Sequence, residues 1–294
     1  YVHDVGGLGF GIELKNGSFD NLVADNVIHG AGLVCILVGS SLAHGAANRV
    51  EGNAVWGCAD NAIQVVEHVT VSNNIVLGAA ANGISVASLS GVLPGDVAIV
   101  HNTVLATGSA AIRVASAIGS VVVANNAVYN PTGSSIQILS APGTTVTGNV
   151  GAGISSGIVG GLDATGNLAL DFVNANLSGA PPNDVFPISG SKLVDAGNAT
   201  FAVTTDFNHT PRSAPHEAGA YQFSGGRNPG WWIKPAFKVV PEPDVAVALL
   251  SGALCLAIRR RPASPPSPPS SPPSSRRSSR RRSTCRSHNI DRIA

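Results

Sequence analysis

The sequence predicts an all-β fold, a parallel solenoid, for roughly its first 170 residues. Three observations carry that expectation: a motif recurring about every 25 residues, apolar segments that alternate with a period of two, and a composition rich in Gly and poor in charge. The 294 residues include 34 Gly and no Met, with 12% charged and 5% aromatic side chains. Scarce Lys and Glu and abundant Gly disfavour a helical bundle, while 44% hydrophobic residues can bury a core and exclude global disorder.

The repeat is an apolar-x-x-Asn pattern ending at Asn26, Asn53, Asn74, Asn102, Asn126 and Asn149, at intervals of 27, 21, 28, 24 and 23 residues. A weaker copy, ATGN, ends at Asn167. Ten residues after each of the first five Asn stands Ile36, Ile63, Ile84, Ile112 or Ile136, in segments reading ILV, IQV, ISV, IRV and IQI. An earlier IEL at Ile12 marks a preceding coil. Each repeat thus carries two short period-2 runs separated by turn residues, which reads as strand, turn, strand. A leucine-rich repeat has a similar period, but Leu is uncommon at the periodic sites and no helical half-repeat follows. Stacking such coils gives a right-handed parallel β-helix of about seven coils, because strand-crossover-strand connections are right-handed.

The repeated Asn has a physical role in that arrangement. Equivalent positions stack about 4.8 Å apart, so buried amides can pass hydrogen bonds from coil to coil while satisfying turn backbone. Ser40, Glu67, Ser88, Ser116 and Ser140, four residues after each Ile, form a second polar stack expected at a corner. Cys35, Cys58, Cys255 and Cys285 are too scattered for a disulfide scaffold or zinc site, and the repeat register separates Cys35 from Cys58, so no bridge is expected.

These repeats resemble the right-handed β-helix proteins of the pectin-lyase-like superfamily over residues 1–170. Residues 171–224, with Asp195, Gly197, Asp206, Asn208, Arg212 and Gly219 to Tyr221, resemble the segment that ends such proteins, and should cap the open last coil. Residues 225–239 read as a linker. Residues 240–261, VPEPDVAVALLSGALCLAIRRR, resemble a PEP-CTERM sorting signal. Pro241, Glu242 and Pro243 keep the chain extended, the run from Val245 to Ile258 is too short for an ordinary membrane-spanning helix, and Arg259, Arg260 and Arg261 resist translocation. The resemblance implies export, transient inner-membrane insertion, an exosortase-type processing protease as partner, and a cell-surface or extracellular location. Residues 262–294 are Ser/Pro/Arg-rich and expected to be disordered.

Charge divides along the same boundary. Ten of the eighteen basic residues and one of the seventeen acids fall in residues 259–294, which therefore carry +9 and leave −8 on the rest. A basic tail behind an export anchor gives no reason to expect a nucleic-acid partner. A chain beginning at Tyr1 without Met reads as lacking its natural N-terminus, including any signal peptide.

Enzymes on this fold use clustered acids on an outer sheet face, with calcium in some lyases. The column after Ile here reads Glu13, Leu37, Gln64, Ser85, Arg113 and Gln137, with no adjacent carboxylates. Glu67 in the next column and Arg113, two coils or roughly 10 Å away, are the catalytic candidates. Trp56 and Tyr129, three residues after their Asn and about 14 Å apart, together with Gln64 and Glu13, are the ligand-binding candidates. No metal motif is present, and calcium is expected only for a lyase. The sequence points to a structural or polysaccharide-binding protein, with a polysaccharide lyase or glycosidase as the alternative.

Overall fold

A computed structural model describes residues 1–39 and 45–239. Within them the chain winds through about six coils, one fewer than expected, and each full coil contributes three short strands. The first sheet takes Val2–His3, Val27–His29, Ala54–Cys58, Ile75–Ala79, Thr103–Leu105, the start of Ala127–Leu139, and Asn149–Ser156. Its neighbour, the second sheet, takes Ile12–Leu14, Ile36–Val38, Ile63–Val65, Ile84–Val86, Ala110–Ala115 and the end of Ala127–Leu139. The third takes Leu22–Ala24, Asn48–Glu51, Glu67–Ser72, Gly95–Val100, Val121–Ala124 and Thr144–Thr147. Pairings within all three are parallel and follow the sequence register, as in Ile63↔Ile84↔Ile112↔Ile136.

The third strand per coil arises because the Asn motif is a corner. The residue before Asn adopts left-handed backbone at Asp25, Gly52, Asn73, His101, Asn125 and Gly148, with φ between 54° and 66°. That conformation suits Gly, Asn and Asp, and it breaks what reads as one apolar run into two strands on different sheets. The ladder follows. Asn26 donates its amide to Asn53 Oδ1 at 3.1 Å, Asn53 to Asn74 at 2.9 Å, and Asn74, Asn102 and Asn126 each to the next at 3.0 Å. Asn149 ends it by donating to Gly161 O. Asn167 instead caps the short helix Leu168–Asp171, so ATGN is not another coil. At the second corner Ser116 and Ser140 are left-handed, whereas the equivalent strained residue beside Glu67 is His68. Ser40 lies outside the described residues.

Cys35 and Cys58 form a disulfide, contrary to expectation, with their Cα atoms 5.6 Å apart. Register along the chain misleads here because the path from Asn to Ile folds round a bend. Cys58 sits above Ala31 on one flank, where Ala59 N–H donates to Ala31 O, and Cys35 sits below Ala62 on the other. The two flanks therefore face each other across the interior.

The expected end cap lies elsewhere. Leu162–Asp163 pairs with Asn149–Val150 beyond the last coil, and Ile158 and Leu162 pack against the solenoid interior. Residues 168–238 instead run along the outside of the first sheet, back toward the first coil. The reason is that this sheet is apolar on both sides. Ile28, Val55, Val76, Val104 and Val128 point inward, whereas Val27, Ala54, Ile75, Leu77 and Leu105 face outward into a second core. Phe172, Phe186, Phe207, Tyr221, Trp231 and Ile233 of the returning segment fill that second core, each contributing about 1.5–3 kcal/mol by burial. Trp231 and Ile233 belong to the stretch expected as a linker, so residues 225–239 are part of the cover.

Candidate functional site

The three sheets present different surfaces to a ligand. The first is covered, and the corner column of left-handed residues is the line along which the cover is fastened. Asn73 donates to Thr205 O at 2.8 Å and accepts from Arg212 at 2.9 Å. Asn125 accepts from Asn198 N–H at 2.7 Å and donates to Asn198 O at 3.0 Å, and Gly219 N–H donates to Asn125 O. Asp25 meets His209 and Lys238, and Lys238 Nζ is fully buried, donating to Asp25 Oδ1 at 2.6 Å, Gly52 O at 2.8 Å and Phe207 O at 2.6 Å. The motif residues of the returning segment serve this fastening. Asp206 accepts backbone N–H from Asn208, Thr210 and Gln222, and Gly197 N–H donates to His216 O.

Beneath the cover lies a buried polar cluster that the sequence did not reveal. His101 is fully buried, and Asn125 donates to its Nε2 at 3.0 Å. Burial, with Arg212 and His216 nearby, pushes its pKa down to about 2, so it is neutral. Burial lowers Arg212 to about 10, against the pull of Asp206 and Glu217. Glu217 accepts from Gln222 and is pushed up to about 7 by burial.

Trp56 and Tyr129 do not form an open stacking face. They occupy one outward column, as expected, but Tyr129 is 1% exposed and Trp56 7%. Tyr129 donates to Asp171 at 2.6 Å and packs edge-on against Phe172, while Trp56 stacks on His29 with ring centroids 4.7 Å apart. The cover takes the surface a glycan would need. The signal for this was legible in the runs NAVW, NIVL, NTVL and NAVY, whose unbroken apolar character suits a strand buried on both faces.

The second sheet is partly open: Glu13, Gln64, Arg113 and Gln137 are partly exposed, whereas Leu37 and Ser85 are buried. Its outward column is in register as expected, Glu13↔Leu37↔Gln64↔Ser85↔Arg113↔Gln137. Glu13 pairs with Lys15 at 2.9 Å, and Gln64 Oε1 accepts from Asn61 at 2.9 Å. Asn82 in turn donates to Asn61 at 2.8 Å, a second short amide ladder that stiffens this face. Glu67 is not on this sheet: it opens the third-sheet strand Glu67–Ser72, so the corner separates it from Arg113. It lines a shallow groove with Asp96, which accepts from Ser120 Oγ at 3.2 Å.

On the third sheet, a cleft of about 350 Å³ opens between the strands and the returning segment, bringing together Asp25, Arg49, Glu51, Ser72, Thr205 and His209. Sequence reasoning missed it because one wall comes from residues more than 130 positions away. Among the described residues, no group of three or more His, Cys, Asp or Glu is arranged to hold a metal ion. The calcium implied only for a lyase finds no donor set of that kind among the described residues. Among the same residues, no helix is long and apolar enough to cross a membrane. Pro241, Glu242, Pro243 and Arg259 to Arg261 lie outside the described residues.

No curated protein and no solved structure matches this chain. A family model described as a right handed beta helix region matches residues 2–117. That match and the coil-by-coil geometry agree that the fold is a right-handed parallel β-helix.

Proposed function

We propose that the chain is an exported, cell-surface or extracellular β-helix protein that binds an extended polysaccharide along its second sheet without cleaving it. The observation that carries this reading is the in-register row on the second sheet in which Gln64, Arg113 and Gln137 are partly exposed around the buried Ser85. Partly exposed hydrogen-bonding side chains repeated along the axis suit a long polymer better than a compact ligand, and the row contains no pair of carboxylates for acid and base. Affinity electrophoresis of the full chain in gels containing neutral or acidic polysaccharides tests it. Gln64→Ala and Arg113→Ala should each weaken retardation about threefold to tenfold, and unchanged mobility in both would reject the site.

A lyase or glycosidase is the second reading, favoured by Glu67 and Asp96 sharing one groove. Release of unsaturated or reducing ends that Glu67→Ala abolishes would establish it in place of the first.

Export and sorting rest on the tail motif and gain support from the Cys35–Cys58 bridge, since disulfides persist mainly in oxidising compartments. In this reading an exosortase-type protease acts on the segment around Pro241, Glu242 and Pro243 after transient insertion of the apolar run, with Arg259 to Arg261 retained inside. Replacing Pro241 and Pro243 by Ala should redistribute the protein between membrane and surface fractions of the native host. An unchanged distribution would remove the sorting proposal while leaving the binding proposal standing.

A further inference from the structure

The cleft on the third sheet has a floor, a wall and a charge balance that together define a ligand. Its floor comes from neighbouring strands, where Arg49 lies beside Thr70 and Glu51 beside Ser72. The opposite wall is residues 202–206 with His209. That wall is rigid, because the Asp206 carboxylate holds three backbone N–H groups and Lys238 ties Phe207 O to Asp25 and Gly52. A preformed cleft of about 350 Å³ falls within the usual range of small-ligand pockets, about 300–1,000 Å³.

The charged groups are partnered in place. Asp25 is met by the buried Lys238 ammonium and by His209 at 3.0 Å, and Glu51 faces Arg49 at 3.5 Å. Asp206 is consumed by backbone N–H groups. Three carboxylates, Asp25, Glu51 and Asp206, meet two cations, Arg49 and Lys238, so no positive excess is left to hold a polyanion, and each carboxylate already has hydrogen-bonding partners. What remains is hydroxyl capacity: Thr70, Ser72, Thr204 and Thr205 line the cleft, and none of their side chains has a hydrogen-bond partner among the described residues. The Arg49–Glu51 pair adds further donors and acceptors, and Ala202 and Val203 add a small apolar patch. A surface of unpaired hydroxyls, neutralised ion pairs and some apolar wall matches a ligand that is uncharged, rich in hydroxyls and apolar on its ring faces.

We propose that this cleft binds a short neutral saccharide, as a site separate from the second sheet. It stands or falls independently of whether the second sheet holds a polymer. The test is calorimetric titration of the full chain with neutral oligosaccharides and, in parallel, with uronic acid oligosaccharides of equal length. Thr70→Val and Thr205→Val keep the side-chain volume and remove one hydroxyl each. The expected result is saturable binding of a neutral sugar, weakened about threefold to tenfold by each variant and unaffected by Gln64→Ala or Arg113→Ala. Binding that falls only with Gln64→Ala or Arg113→Ala would overturn this site and leave the second sheet as the binding surface. Tighter binding of the uronic acid series, or no binding of any neutral sugar, would overturn it as well. Unfolding midpoints equal to the parent's confirm that a loss of binding reports the cleft rather than the fold.

Discussion

At the scale of single residues, the ladder Asn carry the largest polar load. Asn102 donates to Val71 O, Val100 O and Asn126 Oδ1 and accepts from Asn74, and it is fully buried. Asn102→Ala orphans several of these partners at once, each costing about 1–3 kcal/mol when buried. We expect a loss of about 3–5 kcal/mol in urea unfolding. Asn26→Ala, at the partly exposed start of the ladder, should cost less than half as much. Equal losses would show that burial and local hydrogen bonds do not set the cost. His101 sets a pH dependence of known sign. Its folded pKa of about 2 lies below the ordinary 6.5, so its contribution is present above pH 6.5 and is lost as pH falls and the unfolded chain takes up the proton. Glu217 acts oppositely. Its folded pKa of about 7 exceeds the ordinary 4.5, so its contribution is full below pH 4.5 and is lost as pH rises through 7. His101→Asn, which tolerates the left-handed backbone at this position, should flatten the fall in thermal midpoint between pH 6.5 and 4. An unchanged slope would place the acid sensitivity elsewhere.

At the scale of elements, the decisive feature is the returning segment. It docks because the outer face of the first sheet is apolar, and it is oriented because the corner column offers a row of polar groups in left-handed backbone. Lys238 is its last anchor, with its ammonium bonded to one carboxylate and two carbonyls and set 3.7 Å from the Phe207 ring centroid. Lys238→Met leaves those three acceptors without their donor, a change of the kind that costs about 3–5 kcal/mol. Limited trypsin digestion should then cut faster after Arg227, and an unchanged rate would show that the apolar anchors alone hold the segment. The same element buries the aromatic candidates. Trp56 and Tyr129 share one outward column, but a column cannot say what lies over it.

At the scale of the whole molecule, the Cys35–Cys58 bridge ties adjacent coils across a 23-residue separation. Cys35→Ala/Cys58→Ala should lower stability by about 2–4 kcal/mol, measured by urea unfolding beside the oxidised parent. No difference would show that packing alone sets the coil spacing there. The arrangement of surfaces also belongs to this scale. One sheet is buried by the returning segment, one is partly open with Gln64, Arg113 and Gln137 on its face, and one shares a cleft with the returning segment. That distribution moves the search for a ligand from the aromatic column to the second and third sheets.

The sequence by itself determined the solenoid, the register of its columns and the amide ladder, because each of these repeats once per coil and so leaves a period in the chain. It also placed Gln64, Arg113 and Glu13 in one column. Tertiary structure alone decided the third strand per coil, the pairing of Cys35 with Cys58, the covering of Trp56 and Tyr129, and the cleft formed by Asp25, Glu51, Thr205 and His209. The physical reason is the same in each case. A repeat records which residues stack along the axis, whereas a fold around a corner, or a contact with a segment that returns from far along the chain, has no period and leaves no mark in the spacing.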